Sequence, residues 1–145
     1  DKLLAAFELV AQNYRSYPVG DQAQLYCGHV FYKKGDFKGA LERYESLQSS
    51  SLVRKGLEPL VLYHMAMTRF ALKQYEQAEK LFSQLSKDTN SPYRREAFAA
   101  IAHIYESQGK TKEAVQAYKQ YLKMFPEAPD AAFIRARLAD LSVKG

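Results

Sequence analysis

The chain has little that chemistry usually needs. Its 145 residues include one cysteine, Cys27, so no intramolecular disulfide can form, and its position on a helix face marks it as a small core residue. No apolar run approaches the roughly 18 residues needed to cross a bilayer, and the opening Asp1-Lys2-Leu3-Leu4 lacks the pattern of a signal peptide. There is no phosphate-cradling glycine loop, no nucleophile elbow and no carboxylate pair with a pocket to sit in, which argues against an enzyme and leaves no catalytic residue to name. The three histidines, His29, His64 and His103, lie more than a helical turn apart with no cysteine or carboxylate at ligand spacing, so neither a metal site nor a cofactor is expected. Charge of one sign is also scarce. A net charge of +5 leaves an anionic partner open, but the basic pairs Lys33-Lys34, Arg54-Lys55 and Arg94-Arg95 are scattered among acidic residues rather than joined in a stripe, which argues against nucleic acid.

What is present is repetition. The pattern Gly35-Asp36-Phe37-x-x-Ala40-x-x-x-Tyr44 recurs as Lys73-Gln74-Tyr75-x-x-Ala78-x-x-x-Phe82 and as Gly109-Lys110-Thr111-x-x-Ala114-x-x-x-Tyr118, with 38 and 36 residues between the alanines. Hydrophobic spacing of three and four predicts helices over about 3–16, 21–34, 36–48, 58–72, 75–86, 91–108, 111–125 and 130–142. Capping chemistry marks several starts: Asp36, Ser91 before Pro92, and Thr111. Residues 49–56 read as a polar loop with at most one loose turn at Leu52 and Val53. In the last helix Ala132, Phe133, Ala136 and Leu138 are expected inward and Arg135, Arg137 and Asp140 in water. The outcome is an all-α fold of about eight antiparallel helices joined by short loops.

These residues resemble the tetratricopeptide repeat (TPR) family. The third copy matches its consensus best, with Phe98-x2-Ile101-Ala102-x2-Tyr105 followed by Gly109, Ala114, Tyr118 and Pro126. The first reads Gln24-x2-Cys27-Gly28-x2-Phe31. The second, Leu62-x2-Met65-Ala66-x2-Arg69, departs most, with Arg69 in an aromatic position and Lys73 in place of the turn glycine. The resemblance implies a right-handed superhelix forming a single domain over 1–145: the second helix of a truncated repeat (1–20), three repeats (21–56, 57–90 and 91–128) and a capping helix (129–145). Ala6, 34 residues before Ala40, supports the truncated front repeat, and the absence of an initiating methionine reads as a fragment, leaving open a membrane tether upstream of residue 1. Small residues at 28, 66 and 102 and at 40, 78 and 114 should let helix axes approach, with Tyr44, Phe82 and Tyr118 filling the gap to the next repeat.

The resemblance also implies non-catalytic protein binding in a concave groove lined by the first helix of each repeat. The candidate partner-binding residues there are Leu25, His29, Tyr32, Tyr63, Met67, Phe70, His103 and Glu106. Such a surface suits an amphipathic helix or an extended apolar peptide, or else a neighbouring helix of the same or a second chain covers it. The Lys and Asn clamp by which some family members hold the acidic tails of heat-shock chaperones is missing, since Leu25 and His29, Tyr63 and Met67, and Ala99 and His103 stand at those positions. The alternative function is self-association, a homodimer through the stripe Leu3, Leu4, Phe7 and Val10 of residues 3–16. The segments Tyr14-Arg15-Ser16-Tyr17-Pro18 and Tyr121 to Ala132 are similar to those of bacterial cell-envelope TPR proteins, so the periplasm is favoured over the cytoplasm.

Overall fold

The computed structural model describes residues 2–144. Among them are eight α-helices and no strand: α1 (Lys2–Asn13), α2 (Pro18–Lys33), α3 (Phe37–Ser46), α4 (Glu58–Ala71), α5 (Tyr75–Lys87), α6 (Arg94–Ser107), α7 (Thr111–Met124) and α8 (Ala131–Lys144). They divide into two compact units, residues 1–78 and 79–145, with α5 running from one into the other.

In the N-terminal unit α2 packs against α1 and α3, and α3 against α4. The repeated small and aromatic residues form its framework: Cys27, Ala40 and Ala66 are fully buried and Tyr44 is 1% exposed. Gly28 shows why that position must be small. A Cβ there would lie 2.6 Å from Cε1 of Tyr44. Gly20 has a different reason, for a Cβ would fall 2.0 Å from the carbonyl oxygen of Tyr14, where the backbone enters α2. Helix α2 begins at Pro18 rather than at Asp21, because proline suits the first helical turn. That frees the Asp21 carboxylate, which accepts hydrogen bonds from the Ser51 amide (2.8 Å) and hydroxyl (2.5 Å). So anchored, the segment expected to be a polar loop has Leu52 buried and a kinked turn over Val53–Leu57, where Gly56 at φ +90° redirects the chain into α4. Three of the four stripe residues of α1 are covered: Phe7 stacks on Tyr26 with ring centres 4.0 Å apart, and Leu4 and Val10 are half-buried. Leu3 and Leu9 remain exposed.

In the C-terminal unit α7 packs against α6 and α8 around Ala102, Ala114, Tyr118, Tyr121, Ile134 and Leu141. Helix α6 starts at Arg94, later than Ser91-Pro92, because the Ser91 hydroxyl accepts from the Tyr93 amide (3.2 Å) and holds a turn ahead of the helix. Thr111 is the first residue of α7, and Lys110 takes the cap position. The inward face of α8 is Ala131, Ile134, Leu138 and Leu141, not Ala132, Phe133 and Ala136; Phe133 is 64% exposed. Asp130 ties the start of α8 to α6 and α7. Its carboxylate accepts hydrogen bonds from the Tyr121 hydroxyl and from Arg95 (3.0 Å), fixing where α8 begins. Arg137 pairs with Glu106 while its side chain stays 39% exposed.

The turns at 35, 73 and 109 share one geometry. Residues Gly35, Lys73 and Gly109 all have positive φ (79°, 59° and 70°), and each turn closes with the same two bonds. The Gly35 amide donates to the Tyr32 carbonyl and Asp36 to Phe31; Lys73 to Phe70 and Gln74 to Arg69; Gly109 to Glu106 and Lys110 to Tyr105. This left-handed helix terminus satisfies carbonyls that the helix leaves unpaired. Lysine at 73 adopts it at a conformational cost that glycine avoids.

Candidate partner-binding site

Helix α2 presents Tyr26, His29, Val30 and Lys33 at spacings of three and four, hence along one face, and α4 presents Tyr63, His64 and Met67. Together with Tyr32 and Tyr44 they line an open cavity of about 510 Å³ in the N-terminal unit. Its centre is a pair of histidines. His29 Nε2 and His64 Nε2 lie 3.1 Å apart, so one ring donates an N–H to the other. His64 is further clamped by aromatic rings, stacked on Tyr44 at 5.3 Å and met edge-on by Tyr63 at 5.6 Å. Its backbone carbonyl accepts the hydroxyl of the buried Thr68 at 2.7 Å.

Electrostatics follow from this enclosure. Burial, and then the charge His29 would carry, push His64 down to about 4. Burial, then Lys33, lower His29 as well. Both imidazoles are therefore neutral at pH 7, and burial holds the Tyr44 phenol un-ionised by raising its pKa. Lys33 is left as the one formal charge in the lining.

Of the eight residues expected from sequence, His29, Tyr32, Tyr63 and Met67 come together here. Leu25 is half-buried elsewhere on α2, and Phe70 packs against Tyr75 with ring centres 5.8 Å apart. His103 and Glu106 belong to the C-terminal unit. There Glu106 accepts from Arg137 Nε at 2.7 Å and from the Tyr118 hydroxyl, and His103 Nδ1 stands 3.0 Å from that same hydroxyl. Burial alone would raise the Glu106 carboxyl, but the Arg137 and Tyr118 hydrogen bonds outweigh it and leave the carboxyl below its usual value. Its role in this network is to join α6, α7 and α8.

His64 and Tyr26 escaped the sequence reading. The signal for His64 was its distance of 35 residues from His29, close to one repeat, which brings successive first helices side by side. Among the described residues no three His, Cys, Asp or Glu side chains converge as a metal site would require. A larger cleft of about 610 Å³ lies among α1, α2 and α3, but its lining is polar and Arg43 is already bound to Glu8 (3.1 Å) and Gln24 (3.3 Å). Two of the basic residues are likewise engaged: Arg95 pairs with Glu96 and Asp130, and Arg94 lies over the Phe98 and Phe125 rings.

The sequence model of the tetratricopeptide repeat-like domain matches residues 1–143. The chain belongs to that family. Within the TPR group it is similar to lipopolysaccharide assembly protein B of Escherichia coli K12, 22% identical over 103 residues, which cover 71% of this chain and 26% of that protein. The proteins of the same name from E. coli O6:H1 and O157:H7 match to the same extent. The chain thus spans about a quarter of the length of these curated relatives. Among solved structures, the Arabidopsis OM64 TPR domain aligns with a TM-score of 0.63 at 19% identity, covering 83% of this chain and 94% of that domain, a likeness of fold. TPR domains generally mediate protein–protein interaction and are typically non-catalytic scaffolds. No helix among the described residues is long and apolar enough to cross a membrane.

Proposed function

We propose that this chain is a non-catalytic interaction module that holds a segment of a partner protein against the N-terminal cavity of α2 and α4. The observation that carries the reading is the cavity itself, an open surface of tyrosine rings and a methionine around two neutral imidazoles. Aromatic and methionine side chains supply contact area at modest entropic cost, as binding surfaces require. Similarity to the lipopolysaccharide assembly protein supports a role in the bacterial cell envelope, with the periplasm as the compartment in which to look for the partner. The test replaces Tyr63 and Met67 together by alanine. Partner capture from a bacterial lysate should fall at least tenfold while circular dichroism is unchanged, and undiminished capture by the folded variant rules the cavity out.

Self-association through α1 is the second reading; of its expected stripe Leu3 stays exposed, and Leu9, outside that stripe, is the other exposed large apolar residue of the helix. Light scattering decides it: a Leu3→Glu, Leu9→Glu variant with the same mass as the parent ends that reading.

A further inference from the structure

The cavity between α2 and α4 has a chemical preference written into its lining. Three features bear on it. Tyr26, Tyr32 and Tyr63 line the cavity, one face of Tyr26 being taken by Phe7, and Met67 contributes a polarisable sulfur. Such groups favour an aromatic guest over an aliphatic one through edge-to-face, stacked and sulfur–ring contacts. The histidines add two more flat rings but no charge, because each is committed to the other at 3.1 Å and held neutral by burial.

Lys33 is the remaining feature. It sits one helical turn beyond His29 on α2, is exposed, and has no carboxylate partner among the described residues. An aromatic box of this kind without Lys33 would equally suit a quaternary ammonium or another cation. With an ammonium group in the lining a cationic guest is repelled and an anionic one attracted.

We infer that the cavity takes an aromatic side chain of the partner with a carboxylate beside it, the ring entering among Tyr26, Tyr63 and Met67 and the carboxylate pairing with Lys33. This rests on the protein-binding reading above and specifies the residue types by which the partner is held. A partner helix or strand bearing only aliphatic anchors, or a basic segment, does not fit it.

The probes are small enough to isolate the chemistry: 3-phenylpropionate, its uncharged amide, and 3-cyclohexylpropionate. A fragment of this size in a formed pocket is expected to bind with a Kd of a few millimolar. The protein carries 13C at the methionine methyl groups and the histidine Cε1 atoms. The expected result is that 3-phenylpropionate shifts the Met67 methyl and both His29 and His64 signals while Met124, on α7, stays still. The amide should bind about two- to fivefold more weakly, as loss of one exposed ion pair predicts. Lys33→Gln, at an exposed position that leaves the fold alone, should erase that difference. The cyclohexyl acid should bind more weakly than the phenyl acid.

No shift at Met67 up to about 10 mM of the phenyl acid, beyond the Kd expected for such a fragment, overturns the inference. So does an amide that binds as tightly as the acid, or a cyclohexyl acid that binds as tightly as the phenyl compound. Failure here with lysate capture still dependent on Tyr63 and Met67 discards the anchor chemistry and keeps the interaction site, whereas loss of that dependence removes both.

Discussion

Gly28 offers a test in which two well-calibrated effects have opposite signs. Glycine in a helix interior is about 0.8–1.0 kcal/mol worse than alanine, so Gly28→Ala at an open site would stabilise the protein by about that much. At this site the new Cβ would stand 2.6 Å from Cε1 of Tyr44 and 3.0 Å from its Cδ1 and Cζ. The ring has nowhere to go, being 1% exposed and stacked on His64 at 5.3 Å. Overpacking of this kind costs roughly 1–3 kcal/mol, and the helix has to absorb it or shift. The net expectation is a loss of up to about 2 kcal/mol, read as a lower urea midpoint at constant slope. The cause is checked by repeating the change in a Tyr44→Leu background, where the clash is gone and Gly28→Ala should become neutral or stabilising, a coupling of about 1 kcal/mol or more. A single variant that gains stability, or an equal loss with and without the Tyr44 ring, refutes the packing argument.

Lys73→Gly relieves a left-handed residue at φ +59° and should raise stability by about 0.5–1 kcal/mol by thermal melting; a decrease means the lysine stem contributes packing that outweighs the strain. His64 sets a pH dependence. Its pKa falls from 6.5 to about 4 on folding, so the unfolded chain takes up a proton that the folded one resists. Stability is full above pH 6.5 and is lost as pH falls toward 4, by at most about 3 kcal/mol at 1.36 kcal/mol per pH unit. His64→Gln should therefore flatten that stretch of the stability profile, and curves for parent and variant that run parallel between pH 7 and 4 would show that the histidine stays exposed to water.

The repeat frame was legible because it is enforced by sterics that recur at fixed spacing. Ala40, Ala78 and Ala114 are fully buried, as are Phe82 and Tyr118, and Tyr44 nearly so. The turns at Gly35 and Gly109 were visible for the same reason, and Lys73 was recognised as a departure although its backbone keeps the glycine geometry. Arg69, an exception to the aromatic pattern, is held by polar partners where its counterparts use rings: it pairs with Glu45 at 2.5 Å and donates to the Gln74 side-chain oxygen at 2.9 Å. No periodicity announces such a pair.

The rest depended on contacts between elements distant in sequence. Ala132, Phe133 and Ala136 also make an apolar stripe on α8, but the stripe packed with Tyr118 and Tyr121 is Ala131, Ile134, Leu138 and Leu141. The cavity was half legible. His29, Tyr32, Tyr63 and Met67 followed from projecting a helix face, whereas His64 and Tyr26 lie one position off the residues so projected, and Glu106 belongs to the C-terminal unit, where it binds Arg137.

Cys27 turns the burial of α2 into a clock. It is the chain's one cysteine, fully buried, and burial raises its thiol pKa further from neutrality. A thiol reagent can reach it only when the N-terminal unit opens, and nothing in residues 79–145 can react in its place. The labelling rate of the unmodified protein therefore reports opening of that unit alone, while amide exchange follows both, so the two halves of the chain can be timed separately without a single substitution.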